Sequence, residues 1–534
     1  MSPTPLSALG QVIAHARMGA LDEAWRLFRA AGLEGVADDA AVLSVRGRLF
    51  KDEARRAPDE ASRRALFARA AEAYGQAGAI AWATYPLINA ASLSLLSGDE
   101  GRARALAERV LARLDQGDRE PDTPYWREAT RAEAQLLLGA THEAWLTLQG
   151  ALELAPRAWE DHAATLRQFS LILAQRGEDD AWLAPLRPPR VLHYAGPLGA
   201  PPDDAGLKAR IAEILETERI GFAWGALAAG ADILIAEALL ARGAELNIVL
   251  PAPRAAFRAA SVAPMGGDWP PRFDAVLQGA AQVLVAPGAD DPPTELSARL
   301  AALTAMGRAV LQAEVLSTEA VQLALTAGAG DSRADQDDWS ASGRRRLDLA
   351  AAASPPPAAA ALPAGAGRVL AVLAVVLSAD ALVGEAAAAA LAEQSLPALG
   401  EAMRNAGLAP AAPIVWTGRA VAIPLETAAA ATALSRALGQ RLAPAPAMGA
   451  ALGLVRQGQG PSDETLSLGP AIDAALRLAQ AAEPATLLAD PAFAAALAIA
   501  AAPGAPPPCQ PAGELPPPPA ADPEADAAVF SVRH

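Results

Sequence analysis

The stretch GFAWGALAAGADILIAEALLARGAELNIVLP, residues 221–251, decides how the middle of this 534-residue chain is read. An apolar run broken by glycines leads into a helix-forming segment, and ELNIVLP (245–251) then reads as a short strand stopped by proline. A strand that follows a helix in this way lies parallel to the strand before it, because the helix carries the chain back across one face of the sheet. The alternation continues outward. VLHYAG (191–196) reads as a strand, LKARIAEILETER (207–219) as a helix, and DAVLQGAAQVLVAPG (274–288) as a further helix. TAGAGDSRADQDDWSASGRRRLDL (326–349) reads as an eroded last unit of the same domain. The expectation is a doubly wound, Rossmann-like α/β domain over residues 188–349. In such sheets ligands collect at the carboxyl ends of strands, where glycine turns aim backbone N–H groups from a helix N-terminus. The motif G-x-x-x-x-G-K followed by Ser or Thr does not occur, which excludes an ordinary P-loop NTPase.

Within that stretch stands the block G-x-D-I-L-x-x-E-A-L-L-x-R-G, with Gly230, Asp232, Glu237 and Gly243. Leu250, Pro251, Phe257, Ser261 and Val262 follow, and then Trp269, Arg272 and Phe273. As an ordered string these residues resemble the SLOG superfamily. They resemble in particular the version set between helical repeats and a cyclase-like domain in bacterial proteins labelled as containing a TRAFs-binding domain or an adenylate/guanylate cyclase domain. The resemblance implies a pocket for a nucleotide-derived ligand lined by Gly225, Gly230, Asp232 and Glu237. In a weaker form it implies hydrolysis of a nucleotide glycosidic bond through Glu237. A plainer reading makes the glycines sites of close helix packing and the acids caps.

Residues 1–186 read as helix after helix, with apolar positions three and four apart. MGALDEAWRLF (18–28), LSGDEGRARAL (96–106) and LGATHEAWLTL (138–148) look alike, and their glycines, Gly19, Gly98 and Gly139, fit a helical hairpin of roughly forty residues. The segment resembles tetratricopeptide-type repeats with Trp25, Leu106 and Trp145 as core knobs. That resemblance implies a concave groove for a protein or peptide partner, whose lining residues the sequence does not single out. A plain helical bundle is the alternative. LRPPRVL (186–192) marks the end of this region, and ASPPPAAAALPAGAG (353–367) has the composition of a linker, placed over 350–367.

Residues 368–534 contain VLAVLAVVLSAD (369–380), IVWTGRAVAIPLETAAAATALSRAL (414–438), SLGPAIDAALRLAQAAEPATLLADPAFAAAL (467–497) and a last AVFSVR. In this order they resemble the class III adenylyl/guanylyl cyclase domain, an α+β, ferredoxin-like fold. In that family two Asp residues hold two divalent metals, while an Asn and an Arg handle the ribose and the reacting phosphate. Asp380 matches the first metal ligand, but Gly418 is followed by Arg419 where the second belongs. Arg477 matches the phosphate arginine, whereas Asp473 replaces the Asn and Gly384 falls one residue late. A guanidinium is no metal ligand, and a carboxylate beside a triphosphate adds repulsion. The resemblance therefore implies a cyclase fold without cyclase chemistry, which pairs with itself or with an active relative. Mg or Mn enters only under the alternative, an active cyclase using Asp380 with a substitute such as Glu385 or Glu426. Set beside this, Asp380 is equally a strand-end carboxylate, and Arg419 and Arg477 are surface or ion-pairing residues.

The charge of −16 and the lack of a basic tract argue against nucleic acid or an anionic membrane as partner. The longest apolar run, 369–383, is too short to span a bilayer and contains Asp380. MSPTPLSALG lacks the basic and apolar regions of a signal peptide, and the single cysteine, Cys509, suits a reducing cytoplasm. The five histidines lack ligand spacing. Together these point to a cytoplasmic signalling or scaffold protein rather than an enzyme.

Overall fold

The computed structural model describes residues 5–17, 21–117, 123–286, 292–327, 334–353, 357–377, 385–443, 445–516, 518, 522 and 524–533. The chain forms two compact units, Met1–Pro188 with Val315–Ser317, and Pro189–Glu314 with Thr318–His534.

The described residues of the first unit form α1 (Pro5–Arg17), α2 (Leu21–Ala30), α3 (Ala40–Ala54), α4 (Glu60–Ala81), α5 (Thr84–Ser97), α6 (Glu100–Asp115), α7 (Pro124–Leu137), α8 (Thr141–Leu154) and α9 (Trp159–Arg176). Starts and stops follow local chemistry. The Asp39, Asp59 and Asp99 carboxylates and the Thr123 hydroxyl accept backbone N–H groups at the beginnings of α3, α4, α6 and α7. At the end of α5, Gly98 turns left-handed (φ 96°), and the N–H groups of Gly98 and Asp99 donate to Leu95 and Ser94. Gly139 does the same (φ 85°) through Leu136 and Gln135. These two matched stops set the repeat, since α6 and α8 begin at residues 100 and 141, 41 apart. The repeats share one core, in which Trp25 packs on Phe28 and Phe50 at 5.7 and 5.0 Å and Leu106 is buried. Trp145 is only partly buried and stacks on His142.

The second unit opens with β1 (Arg190–Ala195), α10 (Ala205–Thr217), β2 (Ile220–Gly225), α11 (Ala231–Ala241), β3 (Glu245–Leu250), α12 (Arg254–Ser261), α13 (Trp269–Gly279), β4 (Gln282–Val285), α14 (Glu295–Val315), β5 (Ala320–Thr326), α15 (Ala334–Ala341) and β6 (Arg346–Ala350). The six strands lie parallel in the order β4-β3-β2-β1-β5-β6. One expected element is corrected. The helix read over 274–288 ends at Gly279, and QVLV is strand β4, which pairs Asn247–Leu250 with Gln282–Val285. A β-branched, apolar run beside an open parallel edge gains a full ladder there, which a longer helix would forfeit.

A second sheet follows from β7 (Arg368–Val376), α16 (Glu385–Ala390), α17 (Leu396–Asn405), β8 (Val415–Trp416), β9 (Ala420–Leu425), α18 (Ala428–Arg441), β10 (Ala447–Gln459), β11 (Thr465–Leu468), α19 (Pro470–Ala481), β12 (Leu487–Ala489), α20 (Pro491–Ala500), β13 (Cys509–Glu514) and β14 (Ala528–Val532). Its order is β13-β14-β12-β10-β7-β9-β8, with β11 paired to β10. The central β7 is antiparallel to both β9 and β10. The proline-rich tail contributes β13 at the sheet edge, where Pro511 costs no ladder donor.

Both sheets belong to the one unit, and α14 joins them. A Cβ on Gly307 would stand 2.2 Å from Cα of Ala495, so α14 and α20 meet backbone to backbone. The tail then runs beside the parallel sheet. Val285 donates to the Glu524 carbonyl at 2.9 Å, Arg254 pairs with Glu524, and Arg308 pairs with Asp526. The chain between the sheets is held as well, because Glu295 donates to the Pro363 carbonyl at 2.9 Å. Among the described residues no helix is long and apolar enough to cross a membrane.

Candidate functional sites

In the first unit a polar seam crosses α3, α5 and α7. Helix α5 is apolar almost throughout, yet it carries Tyr85, Asn89 and Ser92 on one face, four and three residues apart. Lys51 of α3 donates to Asn89 Oδ1 at 3.4 Å, and Ser92 donates to Glu133 Oε1 of α7 at 2.5 Å. Burial pulls the Lys51 ammonium down to about 8, with Arg55 adding to the effect. Burial also pushes the Glu133 carboxyl up to about 7, against the pull of Ser92 and Lys51. Tyr85 (56 % exposed) and Trp126 (36 % exposed) offer aromatic surface on these same helices, and Trp126 lies two turns before Glu133. The sequence reading left this face unassigned. Its signal was present as isolated polar residues in the apolar string TYPLINAASLSLLS.

In the second unit a cavity of about 590 Å3 lies between β10, α19, the start of α20, the tail and the end of β4. Asp473 and Arg477 both line it. Asp473 is exposed, while Nη2 of Arg477 donates to the Pro516 carbonyl. The cavity also holds a residue the sequence reading missed. Asp490 caps α20, and its Oδ1 accepts from Phe493 N at 2.7 Å and from Leu452 N at 3.2 Å. Burial raises its carboxyl to about 7, with Asp526 adding to the rise. Its sequence signal is Asp-Pro ahead of an apolar run, a helix start with proline in the first turn.

Asp380 and Gly384 lie outside the described residues. Leu377 N donates to the Arg419 carbonyl at 2.9 Å, so the β8–β9 turn sits beside the end of β7. Arg419 lies in that turn. Glu426 pairs with Arg368 at the opposite end of β7 from Val376. Glu385 starts α16 and is exposed. α19 runs along β10 from Gly453, where Ala471 packs, to Gly449, where Ala475, Leu478 and Ala479 pack, and Gly449 pairs with Ala374, two residues before Val376. The cavity wall at Leu452 and Gly453 pairs with Ala371 and Leu370, six residues before Val376, or roughly 20 Å along the strand.

In the parallel sheet, Gly225, Gly230 and Asp232 gather around the turn from β2 to α11. The Tyr194 ring packs where a Gly225 side chain would be, and the Tyr194 hydroxyl donates to the Ala226 carbonyl at 3.0 Å. Gly230, at φ 114°, lets the 197–200 loop close in, with Ala231 N donating to the Pro197 carbonyl at 3.3 Å. Asp232 is buried and accepts from Ala228 N at 3.0 Å. Glu237 is drawn away to α13, where Arg272 grips it at 2.7 and 2.6 Å and stacks over Trp269. Both carboxylate oxygens of Glu237 thus accept from Arg272.

The family model of the Tetratricopeptide Repeats-Sensor matches residues 8–94. The matched residues run from α1 into α5, so the N-terminal helices are tetratricopeptide-type repeats. No curated protein matches the chain. Among solved structures, a mutant O-GlcNAc transferase from Thermobaculum terrenum is similar at 13 % identity over 59 % of this chain and 75 % of that one. The TM-score is 0.16.

Proposed function

We propose that this protein is a docking scaffold whose helical repeats hold a protein or peptide partner and whose second unit receives a small ligand without turning it over. The observation that carries the reading is the seam on α3, α5 and α7. It sets the exposed aromatic side chains Tyr85 and Trp126 on helices whose packing is fixed by the buried Lys51–Asn89 and Ser92–Glu133 hydrogen bonds.

The arrangement of the second sheet supports reading residues 368–534 as a degenerate cyclase-like domain. The run β7, helices, β8, β9, α18, β10 with spatial order β10-β7-β9-β8 is the split β-α-β pattern of ferredoxin-like folds. Arg419 at the β8–β9 turn and Asp473 on α19 support an inactive one. The parallel sheet is read as SLOG-like, and the protein as cytoplasmic, where the buried Cys509 stays a thiol.

The test is cross-linking of the full chain in its native cells, comparing wild type with the double variant Tyr85→Ala/Trp126→Ala. Both side chains are exposed, so the variant keeps its fold and loses the cross-linked partner. An unchanged set of partners would contradict the reading.

A further inference from the structure

The cavity beside α19 carries a chemistry of its own. At about 590 Å3 it has the size of a small-molecule site. Its wall is largely apolar, with Val285, Leu452, Ala474, Leu478, Leu515 and Val529 among the lining residues. The charged lining is one-sided: Asp473, Asp490, Asp522 and Asp526 against Arg477. Two of these are already engaged, because Arg477 donates to the Pro516 carbonyl and Asp526 pairs with Arg308. Asp522 spends one oxygen on Glu524 N at 2.8 Å.

Asp490 is the decisive group. It is 7 % exposed and lines the cavity, yet both of its hydrogen bonds fall on Oδ1. Among the described residues Oδ2 receives none. A phosphate brought here would face carboxylates in a poorly solvated space, with the one lining arginine already engaged.

We propose that this cavity binds a small molecule with a cationic amine on an apolar, ring-bearing body, and that it rejects phosphorylated ligands. The amine donates to Asp490 Oδ2 with Asp473 at the rim, and the ring fills the space against Ala474 and Leu478. The inference rests on the reading of the second unit as a ligand receiver. It is tested by binding alone, so its failure is distinguishable from loss of partner docking or from the appearance of turnover.

The experiment is calorimetric titration of the full chain with tryptamine, with its neutral N-acetyl derivative and with ATP free of metal. Tryptamine should bind saturably, about tenfold or more tighter than N-acetyltryptamine, and ATP should not bind. Asp490→Asn keeps an oxygen to cap α20, Asp473→Asn alters an exposed side chain, and each should weaken tryptamine by about tenfold. Ala474→Phe, which fills the cavity, should abolish binding. The proposal is overturned if ATP binds more tightly than tryptamine, if the acetylated probe binds equally well, if both Asn variants leave the affinity unchanged, or if tryptamine shows no saturable binding.

Discussion

The two units spend their polar groups differently. In the repeats, partners are near neighbours along the chain: Tyr125 reaches His162 and Thr165, 37 and 40 residues on, and Ser92 reaches Glu133, 41 residues on. In the sheet unit the corresponding links run from Arg308 to Asp526 and from Arg254 to Glu524, 218 and 270 residues apart. A solenoid contacts only its next repeat, so its seam is built from one local unit used again. A two-sheet unit needs the tail to return before its cavity has walls, and its stability should respond as a whole to changes at the joint.

The largest expected effect is at that joint. Gly307→Leu would drive a side chain into the Ala495 backbone and should cost about 4 kcal/mol, above the usual range for overpacking because backbone atoms are the obstacle. Hydrogen exchange should show protection lost across α14, α20 and both sheets while the repeats keep theirs. Equal loss in the repeats would break the contrast.

Next comes a pH effect confined to the sheet unit. Folded Asp490 holds its proton up to about 7, whereas an unfolded aspartate releases it near pH 3.9. Between those values the native state binds more protons, so stability from this group is present at low pH and is lost as pH rises towards 7. Relative to Asp490→Asn, the wild type should lose about 4 kcal/mol between pH 4 and pH 8, read by urea melts. A difference that stays flat with pH would place the carboxyl in water.

Within the repeats, Tyr125→Phe removes a buried hydroxyl that donates to Thr165 at 3.0 Å and lies 3.0 Å from His162 Nδ1. It should cost about 1–2 kcal/mol in the repeat transition only. At the bottom of the scale, Arg368→Ala breaks a pair whose side chains are 53 % and 62 % exposed, and should move stability by less than about 0.5 kcal/mol.

The same contrast explains what the sequence could say. The helix stops at Gly98 and Gly139 were legible because an αL cap is a local event. Trp25 and Leu106 were legible as core because they recur on a helical period. β1 and β3 were legible from their short apolar runs, but β4 was lost inside an apolar string where only Gly279 marked the break, and β5, at Ala320–Thr326, was not read at all. Asp473 and Arg477 could be placed on a helix, whereas Pro516, Asp522 and Asp526, which meet them at the cavity, come from a proline-rich tail with no periodic signal. Gly230 and Asp232 announced a tight turn correctly as residue types, and their partners, Pro197 and Ala228, come from neighbouring loops.

The central claim is that the second unit receives a ligand and performs no nucleotide chemistry. The most direct measurement is incubation of the full chain with ATP or GTP and manganese, with cyclic nucleotide read by mass spectrometry beside an Asp380→Ala control. The account predicts no product above background from folded protein. Product that disappears in Asp380→Ala would contradict it and show that a working metal centre forms despite Arg419.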